Sequence, residues 1–179
     1  MKKLILLLFV LSLLSTISCN NDDDNSTQNL IDQLPPETQT GENTFGCLLD
    51  GEPFIPGGGT NPLDCVYQFV NGEYYFGLQG NKRNENNNLI TIALSTNELE
   101  IEQGLSYNLL NNISGNAQGY FSISTNFNFT SENHTELLMI TKLDQINQIV
   151  SGTFWFDIED QNGTVHEIRE GRFDMQYTQ

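Results

Sequence analysis

The chain has 179 residues, with 23 acidic and seven basic side chains, and its formal net charge is −16. This sign argues against nucleic acid as a partner, because nucleic-acid affinity depends on basic contacts to phosphate. It also opposes electrostatic attraction to anionic lipid. The length is sufficient for one domain with a hydrophobic core.

The first 18 residues have the composition of a signal peptide. Lys2 and Lys3 precede an apolar run from Leu4 to Leu14, which is too short to cross a hydrocarbon core about 30 Å thick. The run ends in Ser-Thr-Ile-Ser-Cys, which resembles a bacterial lipobox. The resemblance implies cleavage before Cys19 and acylation of that cysteine, and two or three acyl chains anchor a protein stably. The alternative is plain secretion with an incidental cysteine.

Three aspartates follow the predicted lipid anchor, namely Asp22, Asp23 and Asp24. They resemble the acidic export signal of Bacteroidota lipoproteins, which implies an outer-membrane protein that faces the cell exterior. The alternative is a solvated charge run in a tether. Cleavage would leave five basic and 23 acidic residues, a formal charge of −18.

Residues 19–42 are acidic and polar, include Pro35-Pro36 and show no periodicity. They are predicted to form a flexible tether, in which Leu30, Ile31 and Leu34 are an apolar cluster able to dock on the domain. Residues 43–179 are predicted to form a single all-β domain.

Two cysteines remain after the anchor, Cys47 and Cys65, with 17 residues between them. In an exported protein such a pair predicts a disulfide, which would contribute about 3 kcal/mol by the loop-closure argument. A zinc site is the competing interpretation, but His134 and His166 lie far downstream without ligand spacing.

Most of the chain after Thr44 alternates between apolar and polar residues, which indicates strands. Phe121, Ile123, Phe127 and Phe129 alternate with polar residues and predict one strand with a wet face. Turn signals such as Asn71-Gly72 separate the segments. The pattern predicts an antiparallel β-sandwich, with a flattened β-barrel as the alternative.

The C-terminal segment predicts a hairpin. Asn162-Gly163 suits a type I′ turn, and the return strand changes its alternation between Ile168 and Phe173. A β-bulge near Gly171 would restore the register.

The segments "TFGC" and "SGTF…GRFD" carry a family resemblance. Together with their surroundings, from about residue 35 to 177, they resemble a domain-of-unknown-function family of Bacteroidota lipoproteins. The resemblance implies a small all-β domain behind a lipid anchor, and it implies no particular activity.

Catalytic and metal-binding patterns are weak. The acidic stretch around Asp157, Asp160 and Gly163 fails the calcium-loop pattern at its first and last ligand positions. Charged residues from His166 to Asp174 lie too close along one strand to indicate paired catalytic acids, although Glu167 and Asp174 are the residues on which a hydrolase would depend. We therefore expect a protein that is not an enzyme and needs no metal or cofactor.

The ligand-binding candidates are aromatic. Alternation places Trp155 opposite Phe154 and Phe156, on the outer face of its strand, where an aromatic ring can stack on a sugar or anchor a protein. The alternative is that another segment covers it. Tyr74 and Tyr120 could extend such a platform. The sequence thus favours a binding or accessory module for a glycan or a protein, with a structural or assembly component of the outer membrane as the second class and a hydrolase as the third.

Overall fold

The computed structural model describes residues 30–59, 61–133 and 136–179. The predicted signal peptide, Cys19, Asp22, Asp23, Asp24 and His134 lie outside the described residues. Antiparallel strands are the main elements of the described residues. They are β1 (Thr44–Leu49), β2 (Glu52–Phe54), β3 (Leu63–Val70), β4 (Glu73–Arg83), β5 (Leu89–Asn97), β6 (Ser106–Asn108), β7 (Asn116–Ile123), β8 (Asn126–Phe129), β9 (Leu137–Asp144), β10 (Ile149–Glu159) and β11 (Val165–Gln176). Within these ranges, no helix is long and apolar enough to cross a membrane.

The strands form two sheets that pack face to face. One has six strands in the order β2-β1-β11-β10-β9-β6, and the other has five in the order β3-β4-β5-β7-β8. Phe76 of the second sheet meets Phe173 of the first at 6.2 Å between ring centroids, and a Cβ on Gly119 would lie 3.1 Å from the Phe156 ring. Each sheet keeps two edge strands, so the predicted β-sandwich is confirmed and the barrel alternative is wrong.

The turns lie at glycine and asparagine residues, as predicted, but the turn at Asn162-Gly163 differs from the predicted type. Asn71 and Gly72 both have positive φ, 54° and 97°, as the tight turn between β3 and β4 requires. At the predicted type I′ turn only Gly163 has positive φ. There the Asp160 carboxylate instead accepts backbone hydrogen bonds from Asn162 and Thr164, both at 2.8 Å, and this side-chain cap makes a longer loop.

The predicted strand from Phe121 to Phe129 is wrong, because the chain reverses at Ser124, where φ is 56°. Phe121 then pairs with Asn128 across the hairpin, and Tyr120 pairs with Phe129. Paired residues share a face, so the reversal turns the second half of the pattern inside out. Phe127 and Phe129 lie outside, each 53% exposed, and Asn128 is buried.

The predicted disulfide is also absent. Cys47 and Cys65 are both buried and unpaired. Cys47 lies on β1 of the six-stranded sheet, and Cys65 lies on β3 of the five-stranded sheet. The number of residues between two cysteines does not show which sheet each one joins, so it could not predict whether they pair. Burial raises the pKa of both thiols, which keeps them protonated and unreactive.

The second half of the predicted tether packs on the domain. Leu34 is only 6% exposed, and a Cβ on Gly46 would come within 2.6 Å of the Pro35 ring, so the chain passes close over β1. We call residues 34–42 the strap. The first half of the predicted tether, up to residue 29, lies outside the described residues.

One buried carboxylate, Asp174 of β11, holds the strap. It is 0% exposed. It accepts hydrogen bonds from the hydroxyls of Thr38 at 2.6 Å and Ser151 at 2.7 Å. It also accepts three from strap backbone N–H groups, those of Thr40 at 3.0 Å, Gly41 at 2.8 Å and Glu42 at 3.2 Å. The strap is therefore joined to the six-stranded sheet by charge-assisted hydrogen bonds.

Candidate functional site

Trp155 lies at the centre of the most informative surface feature. Its neighbours Phe154 and Phe156 are buried in the core, so the indole points to the outer face of the six-stranded sheet, as alternation predicted. The ring is half-buried and borders an open concavity of about 380 Å³. The other lining residues include Thr153 of the same strand, Arg169, Glu170 and Gly171 of β11, and Glu37 of the strap.

A β-bulge in β11 shapes this concavity. Gly171 pairs with Phe154 and Ile168 pairs with Phe156, so two residues of β11 stand opposite Trp155 alone. Glu170, inside the bulge, has a φ of 53°. The bulge predicted near Gly171 is confirmed, and it brings the Arg169 guanidinium to 5.7 Å from the centroid of the Trp155 ring.

Gly171 is required at this position. A Cβ there would approach the Phe154 carbonyl oxygen to 2.5 Å, a distance that real Cβ atoms do not reach. The backbone of β11 therefore lies unusually close to β10 beside the indole. A side chain at this position would displace that backbone.

The cation beside the ring is fixed by acidic partners. Arg169 Nη1 lies 2.6 Å from Asp157 Oδ1, and Nη2 lies 3.3 Å from Glu167 Oε1. The hydrogen bond to Asp157 raises the pKa of Arg169 further. Arg169 therefore helps to orient the indole. Because its charge is already balanced by these two carboxylates, it can donate hydrogen bonds to a ligand that is not an anion.

Glu136 is an acid that the sequence did not single out. It is 1% exposed, and neither carboxyl oxygen accepts a hydrogen bond of good geometry among the described residues. Burial and the Asp157 charge raise the pKa of Glu136 to about 8, against a smaller lowering by the Asp157 backbone N–H. Glu136 is therefore mostly protonated at neutral pH, behind the Asp157–Arg169 pair.

The acids that a hydrolase would have needed are occupied. Asp174 is buried beneath the strap, and although burial alone raises its pKa, hydrogen bonds from Thr38 and Ser151 lower it to about 2. Glu167 accepts from Arg169, and Glu170 accepts from Arg172 at 3.5 Å. These contacts give the three acidic side chains of β11 structural partners.

The other two aromatic candidates lie elsewhere. Tyr74 is on β4 of the five-stranded sheet and stacks on Tyr67 at 5.3 Å. Tyr120 is on β7 of the same sheet, where its ring contacts the exposed Phe129 at 5.2 Å. The three candidates therefore do not form one platform, because Trp155 belongs to the opposite sheet.

No cluster of three or more His, Cys, Asp or Glu side chains suited to a metal ion occurs in the part of the chain that the structure describes. Comparison with known proteins adds no further assignment, since no family model, curated protein or solved structure matches this chain.

Proposed function

We propose that the protein is an outer-membrane lipoprotein, acylated at Cys19 and facing the cell exterior, whose domain is a non-enzymatic module that binds a glycan. The observation that carries the binding proposal is the half-buried indole of Trp155 beside an open concavity. The lipobox resemblance, the three aspartates after Cys19 and the likeness to Bacteroidota lipoproteins support the location.

The walls of the concavity suit a neutral sugar. An indole offers an apolar surface for the C–H groups of a sugar ring. Thr153 and Arg169 supply hydrogen-bond donors around it, and the Glu37 and Glu170 carboxylates supply acceptors for hydroxyl groups. A polyanion would be repelled by the −16 charge of the chain, so a neutral glycan fits better than an acidic one.

A glycan array tests the binding proposal. The chain with Cys19→Ser, which removes the lipid site, is compared with the same chain carrying Trp155→Ala. We expect the substitution to weaken binding by about 30-fold, the effect of losing an interfacial aromatic worth about 2 kcal/mol. Tyr120→Ala is the matched control, because it removes an outer-face aromatic from the opposite sheet. Equal binding by all three proteins would contradict the assignment of the site.

Globomycin and protease shaving test the location. If Cys19 is acylated, globomycin should leave a longer precursor that retains residues 1–18, and unchanged processing would contradict lipidation. Protease added to intact cells should digest the mature protein. Replacing Asp22, Asp23 and Asp24 with asparagine should protect it, and sensitivity equal to wild type would contradict a routing role for these aspartates.

A further inference from the structure

A second pocket lies between the two sheets, at the end where the β7–β8 hairpin faces the loop that joins β10 to β11. Its volume is about 300 Å³, at the lower limit of the range of roughly 300 to 1,000 Å³ that ligand pockets occupy. We call it the carboxamide pocket, because four of its lining residues carry side-chain amides, namely Asn126, Asn128, Gln161 and Asn162.

The amides are available for a ligand to different degrees. Asn128 is 7% exposed, and the two hydrogen bonds that its Nδ2 donates, to the carbonyls of Phe121 and Asn126, are both long at 3.4 Å. Asn126 and Gln161 are exposed. Each carboxamide both donates and accepts hydrogen bonds. The pocket therefore suits a ligand with several groups that can also donate and accept hydrogen bonds.

His166 forms one wall and is held in place from behind. Its Nδ1 lies 2.8 Å from Asp50 Oδ2, while the other oxygen of Asp50 accepts the Glu167 backbone N–H at 2.9 Å. The imidazole ring lies over Phe121 with 4.7 Å between centroids. Its Nε2 is 3.9 Å from Asp160 Oδ2, beyond hydrogen-bonding distance, so this nitrogen remains available at the pocket.

The apolar surface of the pocket comes from Phe121 and Ile123 of β7. A ligand that fits therefore has an apolar face and many hydroxyl or amide groups. Its net charge should be close to zero, because Asp160 would repel an anion, and the carboxylates that could attract a cation already have partners. Asp160 accepts hydrogen bonds from Asn162 and Thr164, and Asp50 contacts His166 Nδ1 and accepts the Glu167 backbone N–H. We infer that the carboxamide pocket is a second ligand site, independent of Trp155, that takes one unit of a neutral saccharide.

NMR spectroscopy of the Cys19→Ser chain tests this inference. D-glucose, D-galactose, D-mannose and N-acetyl-D-glucosamine are each titrated to millimolar concentrations. At least one of them should move the His166 ring resonances and the Asn128 side-chain amide resonances along a saturating curve. Failure of all four sugars to move these resonances would overturn the inference.

Variants separate this site from the Trp155 concavity. Asn126→Ala and Gln161→Ala remove exposed amides without disturbing the core. Each should weaken binding of the sugar by about tenfold, the effect of one lost hydrogen bond. Asn86→Ala, an exposed amide in the β4–β5 turn, is the matched control and should change nothing. Trp155→Ala should also leave the curve unchanged. A curve that responds to Trp155→Ala, or to neither amide variant, would contradict a separate site.

Discussion

Replacing Asp174 with alanine should lower the free energy of unfolding by about 3 kcal/mol. Each hydrogen bond to a charged group contributes about 1.5 to 3 kcal/mol and Asp174 accepts five, but the substitution also removes the cost of burying the carboxylate. The substitution removes the acceptor that joins the strap to the sheet and leaves the Ser151 hydroxyl without its partner. Urea unfolding followed by circular dichroism measures the change. Asp64→Ala, an exposed aspartate on β3, is the control and should have almost no effect. Equal stability of the two variants would contradict the anchoring role of Asp174.

The same carboxylate predicts a pH dependence. The pKa of Asp174 in the folded protein is about 2, below its ordinary value of 3.8. A carboxylate whose pKa is lower in the folded state stabilises the fold at pH values above its unfolded-state pKa. This contribution, about 2 kcal/mol, is lost as the pH falls from 4 through 2. Asp174→Asn cannot titrate, so its stability should change less over this range. Parallel curves for the wild type and the variant would contradict the shift.

Replacing Glu136 with glutamine should stabilise the protein under mildly alkaline conditions. The folded-state pKa of Glu136 is about 8, above its ordinary value of 4.5. The wild type therefore binds this proton more tightly when folded, and it should lose stability as the pH rises from about 4.5 through 8. Glutamine keeps the shape of the neutral acid without the charge, so at pH 8 the variant should be more stable by about 4 kcal/mol.

The free energy of unfolding measured at pH 5 and at pH 8 distinguishes the ionisation of Glu136 from an effect of the substitution that does not depend on pH. Glu136→Gln should differ little from the wild type at pH 5 and be more stable at pH 8. Glu132→Gln, an exposed acid near the same strand, is the control and should match the wild type at both values. A Glu136→Gln protein that is less stable at both values would show that the carboxylate has a stabilising partner.

Local pattern predicted the features that depend on neighbouring residues. Period-two alternation placed Trp155 outside and Phe154 and Phe156 in the core, because successive side chains of a strand point to opposite faces. The shift of alternation between Ile168 and Phe173 likewise indicated the bulge that brings Arg169 beside the indole. The sandwich and the location of the main aromatic candidate could therefore be predicted from the sequence.

Features that depend on distant residues could not. The alternation from Phe121 to Phe129 continues through the reversal at Ser124, so it could not show that the second half faces the opposite way. The contact of the strap with Asp174 joins residues 132 or more positions apart. The polar composition of the strap is equally typical of a free tether. Glu136 gave no signal at all, because its burial depends on the packing of other strands.

Acrylamide quenching of tryptophan fluorescence tests the central claim, that Trp155 lies at the ligand site, because Trp155 is the only tryptophan in the chain. In the free protein the quenching constant should be intermediate between those of an exposed indole and a buried one. Saturation with the glycan that binds most tightly on the array should lower it, since the ligand covers the ring. A quenching constant that bound glycan leaves unchanged would contradict a binding site at Trp155.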